Sequence, residues 1–128
     1  MDFEILKTIC NNTVNIIKKV QNMKKSRLEQ LEDFYREDPN DPFIIYCLAT
    51  EYWKSDINKA LFYFEGLLKW HPYYVGTYYH AAKLYEELNR REDAEKTYLA
   101  GIEIAKEAGN NKLMNELQAA YTNFQFEE

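Results

Sequence analysis

The side chains able to do chemistry are few and scattered. His71 and His80 are the two histidines, and neither has a second His or Cys three or four residues away, the spacing at which one helix face presents two metal ligands. Cys10 and Cys47 are far apart and fit neither a disulfide framework nor a metal-binding pattern; as small apolar side chains they suit a reducing cytosol. Glu86-Glu87 and Glu127-Glu128 are pairs by sequence alone, because adjacent residues on a helix do not face each other, so they offer no acid–base couple. No nucleophile elbow and no glycine-rich phosphate loop is present. Neither a catalytic centre, a bound metal nor a cofactor is therefore expected, and the chain reads as a non-enzyme.

The elements that carry these side chains follow from composition and period. A chain of 128 residues fits one domain with one core, and its eleven Tyr and seven Phe predict a core rich in aromatic rings. Four Gly and three Pro are too few for the turns of an all-β fold. The charges of residues 1–24 sum to +2, which leaves −7 on the remainder. So acidic a body repels the phosphates of DNA or RNA, and a nucleic-acid partner is not expected. No apolar run approaches the roughly 20 residues that span a bilayer. The start, MDFEILKTICNN, places acidic residues before its apolar patch and has no small-residue cleavage site, unlike a secretory signal. A cytoplasmic location is the expectation.

Residues 42–74 superpose on residues 75–108. Ala49 and Tyr52 fall on Ala82 and Tyr85, 33 residues on, while Ala60 and Phe64 fall on Ala94 and Tyr98, 34 residues on. The extra residue lies between WKSDINK and EELNRRED, where a turn is expected and length changes are cheap. Self-similarity at this period marks a stacked repeat. Each unit reads as two helices: Ile45, Leu48, Ala49 and Tyr52, then Ala60, Leu61, Phe64, Leu67 and Leu68; and Tyr78, Ala81, Ala82 and Tyr85, then Ala94, Tyr98, Gly101, Ile102 and Ala105. Asp41-Pro42 suits a capped helix start, and Pro72 stops the helix that ends at Trp70. The small residues let paired helices approach, and Tyr85 and Tyr98 fill the volume beyond. Residues 26–41 read as a second helix without its partner, and 111–126 as a first helix that closes the stack after the Gly109-Asn110-Asn111 turn.

The small–aromatic–small–aromatic series, in register over two consecutive units, resembles the tetratricopeptide repeat family over about residues 26–124, and the chain is similar to the short stand-alone members found in bacteria. It departs from the family at Ile45 and Tyr78, where a tryptophan or other bulky residue is usual, at the missing turn glycine of the first unit and Asn89 in the second, and at Lys106, which takes the place of Pro72. The resemblance implies an all-α, right-handed superhelix of antiparallel helix pairs whose concave face, lined by first helices, binds a peptide or protein. Carried over by position, that face presents Phe43, Tyr46, Thr50, Trp53 and Lys54, then Tyr79, His80, Lys83 and Glu86, with Asn115 and Ala119 from the closing helix. Some relatives hold a C-terminal carboxylate with an Asn and basic residues there. Tyr46 and Thr50 occupy those places here, so that clamp is not expected.

Residues 1–24 form a separate segment, and 25–128 the repeat domain. Phe3, Leu6, Ile9, Cys10, Val14, Ile17 and Val20 trace a helical stripe, but Asn15 and Lys18 stand where the repeat demands Ala and Tyr. Three readings stay open: an irregular partner of the 27–37 helix, a basic amphipathic segment that docks on a partner or membrane surface, and a leader preceding a body that starts at Met23. Trp53 has two, an aromatic anchor in the groove or a residue covered by neighbouring helices. Trp70, Tyr63, Tyr73 and Tyr74 are expected to pack, His71 to be exposed, and His80 to be solvated unless it binds. A scaffold or adaptor is the expected role, with self-association into a homo-oligomer as the alternative.

Overall fold

The computed structural model describes residues 2–127, apart from the side chains of 20–24. The expectations that touch the side chains of Val20, Met23 and Lys24, and Glu128, lie outside those residues. The described chain forms seven α-helices and no strand: α1 (Phe3–Lys24), α2 (Arg27–Glu37), α3 (Pro42–Tyr52), α4 (Ile57–Trp70), α5 (Gly76–Glu87), α6 (Arg91–Glu107) and α7 (Asn111–Phe126). From α2 onward each helix packs on the next, and α3 also meets α5.

The helix starts follow the local sequence. Ser26 accepts a hydrogen bond from the Glu29 amide, Asp41 from Phe43, Asp56 from Lys59 and Asn110 from Leu113. Each bond satisfies an amide that the helix itself leaves free. The ends differ between units. After α5, Asn89 is left-handed (φ 58°), with its own amide bonded to the Glu86 carbonyl and the Arg90 amide to that of Tyr85. Gly109 (φ 70°) closes α6 in the same way. After α3 there is no left-handed residue; the Ser55 and Asp56 amides both return to the Tyr52 carbonyl. The length difference between units thus reflects two turn geometries.

The small residues sit where helices meet. Ala49, Ala60, Ala82 and Ala94 are each 0% exposed. Gly101 is the tightest point: a Cβ there would come within 2.5 Å of the Cβ of Tyr78 and 3.2 Å of Leu117 Cδ1. Around these contacts the core forms two joined clusters. One, from α2 to α4, centres on Leu48, Phe64 and Leu67 and reaches Ala81 and Leu84 of α5. The other, from α5 to α7, centres on Tyr98, Leu117 and Phe124. Leu61 and Leu68 pack against both.

Buried and half-buried phenols find acceptors. Tyr52 donates to Glu32 of α2, Tyr98 to Glu86, Tyr121 to Glu95 (2.8 Å) and Tyr78 to the Pro72 carbonyl (2.5 Å). The Glu65 carboxylate of α4 stands toward Tyr85 one unit later, at the same separation of twenty residues as Glu32 and Tyr52. In both tyrosines a neighbouring carboxylate disfavours the phenolate. The hydrogen bond to Glu32 leads for Tyr52, and burial leads for Tyr85; each is pushed up to about 12.

Helix α1 stands apart. Every described side chain from Asp2 to Lys19 is exposed, including Phe3, Ile5, Leu6, Ile9, Val14, Ile16 and Ile17. None of them is buried against α2, as an irregular partner of that helix would be.

Candidate functional site

The first helices α3 and α5 bring part of the expected groove set together. Tyr46 Oη lies 3.2 Å from His80 Nδ1, and the two rings meet edge to face at 5.4 Å. Trp53 and Tyr79 meet the imidazole at 6.4 and 5.6 Å, and core Phe64 stacks parallel to it at 6.5 Å. Trp53 also packs edge-on against Phe64, and its indole N–H donates to Glu87 Oε2 at 2.6 Å. Beside this cluster Lys83 lies over the Tyr79 ring at 5.9 Å and 3.5 Å from Glu86, which also accepts the Tyr98 hydroxyl.

Two expectations change here. His80 is not a solvated residue: rings enclose it and it is half-buried. Burial disfavours its charged form and lowers its pKa below 6.5, against a smaller opposing effect of a hydrogen bond with the Gly76 backbone. Trp53 is half-buried, packed on the edge of the α2–α4 core. α1, with its described side chains exposed, does not cover it.

The other expected residues lie around this cluster. Phe43 is exposed at the first turn of α3. Thr50 turns its hydroxyl to the Cys47 carbonyl. Lys54 pairs with Glu51 at 3.3 Å, and Glu51 is also met by Arg27. Asn115 and Ala119 are exposed on α7, and the contacts that join the cluster do not include them.

Sequence reasoning missed Glu87, Tyr74 and Phe64 as members of the cluster. The repeat alone did not mark them: Tyr46–His80 and Trp53–Glu87 both join residues 34 apart, one more than the repeat of Ala49 and Ala82. Neighbouring first helices touch one residue beyond their repeat counterparts. Tyr74 extends the cluster on the Tyr46 side at 5.8 Å.

Trp70 corrects the expectation that it packs between units. It is 70% exposed, with Lys69 over its ring at 4.8 Å. Tyr73, expected to be structural, is also exposed, while His71, expected to be exposed, is half-buried. Trp70 and Phe62 border a cleft of about 580 Å³ lined also by Tyr35, Ile45, Tyr63 and His71. This cleft lies between α2 and α4, on second helices rather than on the α3–α5 face.

Among the described residues no group of His, Cys, Asp and Glu is placed to hold a metal ion, and no helix is long and apolar enough to cross a membrane.

Comparison with known proteins agrees with this geometry. The solution structure of a tetratricopeptide repeat domain protein from Salinibacter ruber is 50% identical over 71% of this chain and 93% of its own, with a TM-score of 0.68. The chain belongs to the tetratricopeptide repeat family. A crystal structure of such a protein from the same organism is 48% identical, with all of that chain matched by 69% of this one and a TM-score of 0.66. Protein BPP2914 from Bordetella parapertussis, at 19% identity over 79% of this chain and 89% of its own, shares the fold at a TM-score of 0.67. No family model and no curated protein matches the chain. The fold is thus the family's right-handed stack of antiparallel helix pairs, a helical-repeat module of the protein-interaction class.

Proposed function

We propose that this tetratricopeptide repeat protein is a non-enzymatic scaffold that binds a peptide or protein on the face formed by α3 and α5. The observation that carries this reading is the half-buried aromatic cluster of Tyr46, Trp53, Tyr79 and His80, contributed by two successive first helices. Aromatic side chains dominate the energetics of protein interfaces because they bury a large area with little rotamer freedom. Phe43 extends the apolar surface at one end of the cluster, and Lys83 with Glu86 gives it a polar edge. A groove of this composition favours a ligand with apolar anchors and backbone groups available for hydrogen bonding. Thr50, Lys54 and Asn115 belong to the periphery of the proposed face.

The test is affinity capture from the native cell with wild type, Trp53→Ala plus Tyr79→Ala, and Phe62→Ala plus Trp70→Ala, each shown to be folded by circular dichroism. Capture lost in the first variant and kept in the second supports the groove. The reverse pattern moves binding to the α2–α4 cleft and overturns the reading.

A further inference from the structure

The cleft between α2 and α4 plays no part in the α3–α5 face. Tyr35 of α2 and Phe62, Tyr63 and Trp70 of α4 wall it with rings, around a volume of about 580 Å³ that suits a ligand group. Gly66 lies on the same wall. It stands inside α4, where a glycine weakens the helix relative to alanine. Packing of the fold does not require it, since a Cβ added there meets nothing within 4 Å. Gly101 of α6 is the opposite case, pressed against Tyr78. What Gly66 keeps clear is the cleft.

The polar groups here are open. Among the described residues, the hydroxyls of Tyr35 and Tyr63 have no hydrogen-bond partner in the protein, whereas Tyr52, Tyr78, Tyr98 and Tyr121 each have an acceptor. The Tyr35 carbonyl lacks its helical donor because the fourth residue on is Pro39, and the Leu68 carbonyl lacks it because of Pro72. Helices α2 and α4 both run antiparallel to α3, so their C-termini lie together at the end of the cleft lined by Pro39, Asn40 and His71. Each C-terminus carries partial negative charge. Arg36 is held by Asp33, which leaves Glu37, Asp38 and Asp41 in the chain that follows α2. On the α4 side Glu65 is offset by Lys69 and lies 4.0 Å from Arg90. Lys69 already rests over Trp70 at 4.8 Å, and among the described residues no cation covers the rings of Tyr35, Phe62 or Tyr63.

We propose that this cleft binds an arginine side chain from a basic segment of a partner protein. A guanidinium is planar, stacks on aromatic faces and presents five N–H donors with no acceptor. It therefore matches the rings, the undonated carbonyls and the phenol oxygens together. A carboxylate is repelled by the helix ends, and an ammonium does not stack. The −7 carried by residues 25–128 draws a basic segment in and turns an acidic one away. The site is independent of the groove reading, because it uses a different set of side chains on a different face.

The test is isothermal titration calorimetry of the full chain, at a physiological ionic strength of about 0.15 M, with three blocked hexapeptides that alternate alanine with arginine, lysine or citrulline. The arginine peptide is expected to bind roughly tenfold more tightly than either of the others. Gly66→Leu fills the cleft from a position where a side chain meets no core atom, and Phe62→Ala removes a ring that is 69% exposed. Each, shown to be folded by circular dichroism, is expected to weaken the arginine peptide by about threefold or more. Trp53→Ala plus Tyr79→Ala is expected to leave its affinity unchanged. A wild type that binds no arginine peptide overturns the proposal. So does equal binding of the arginine and lysine peptides, which is attraction to the acidic body alone, and so does full affinity in both Gly66→Leu and Phe62→Ala. Affinity lost only in the Trp53 and Tyr79 variant overturns it as well, and places the peptide in the groove.

Discussion

Helix α1 and the helices α3 to α7 all carry an apolar face, yet the latter pack on one another and the described side chains of α1 are exposed. One difference between them is side-chain size. Each helix from α3 to α7 carries Ala or Gly on its contact face, and α1, over 22 residues, contains neither. Its apolar face is built from Ile, Val, Leu and Phe. An apolar stripe gives a helix a side to bury, but a close-packed stack also needs gaps through which another backbone can approach. Helix α2, at the end of the stack, also lacks Ala and Gly and packs through Leu31 with Leu28 and Tyr35 beside it, so gaps are needed where a helix has neighbours on both sides.

Truncation of the body's centre puts the largest strain on this contrast. Phe64→Ala removes a fully buried ring from the α2–α4 cluster and should cost about 4 kcal/mol. Leu6→Ala in α1 should leave the thermal transition of the repeats within about 0.5 kcal/mol of wild type. Denaturant titration followed by circular dichroism measures both, and an equal loss from the two would erase the distinction between helix and body. Filling a gap tests the same idea from the other side. Gly101→Ala places a methyl 2.5 Å from Tyr78 Cβ, and overpacking of that kind should cost about 3 kcal/mol. A neutral Gly101→Ala would show that close approach is not what the glycine provides.

These gap positions were legible in the sequence because Ala49, Ala82 and Ala94 recur in register with the large residues they face. The stripe of α1 was equally legible, but its partner was not, since periodicity identifies a side to be buried without saying against what. Groove contacts were legible in part. Tyr46, Trp53, Tyr79 and His80 do converge, but Trp53–Glu87 and Tyr46–His80 run one residue ahead of the repeat. That offset comes from the stagger between neighbouring helices, which a single chain's pattern does not encode. Trp70 was misplaced because a helix-end position beside Pro72 suggested a junction between units, whereas the α4 side that packs is that of Ala60, Phe64 and Leu67. The Glu32–Tyr52 and Glu65–Tyr85 pairs escaped notice because apolar period counts a tyrosine as core and ignores its hydroxyl.

A smaller effect separates the ring cluster from the exposed helix by pH. Burial keeps His80 neutral in the fold, with a pKa lowered from 6.5. The unfolded chain therefore takes up more protons than the folded chain just below pH 6.5, so stability falls as the pH drops through that window. It levels again once the pH passes below the folded pKa. His80→Gln should remove this part of the slope, measured as the midpoint of denaturant unfolding at a series of pH values. Substitutions among the exposed residues of α1 should leave it in place. A slope unchanged in His80→Gln would assign the acid sensitivity to other groups.

The smallest effect distinguishes the two repeats within the body. Asn89 closes α5 in the left-handed region, and its equivalent turn after α3 closes without a residue of that kind. A β-branched side chain at positive φ brings its Cβ against the following carbonyl, at a cost of roughly 1–2 kcal/mol. Asn89→Val should therefore lower stability by about that amount. Ser55→Val, exposed in the first turn, should change it by less than about 0.5 kcal/mol. Asn89→Gly should raise stability by a few tenths of a kcal/mol, roughly the advantage of glycine at a helix C-terminus less the extra freedom it gives the unfolded chain. If both valine variants lost the same amount, the difference in turn geometry would carry no energetic weight. The one-residue difference between the units would then reflect only the tolerance of turns for a change in length.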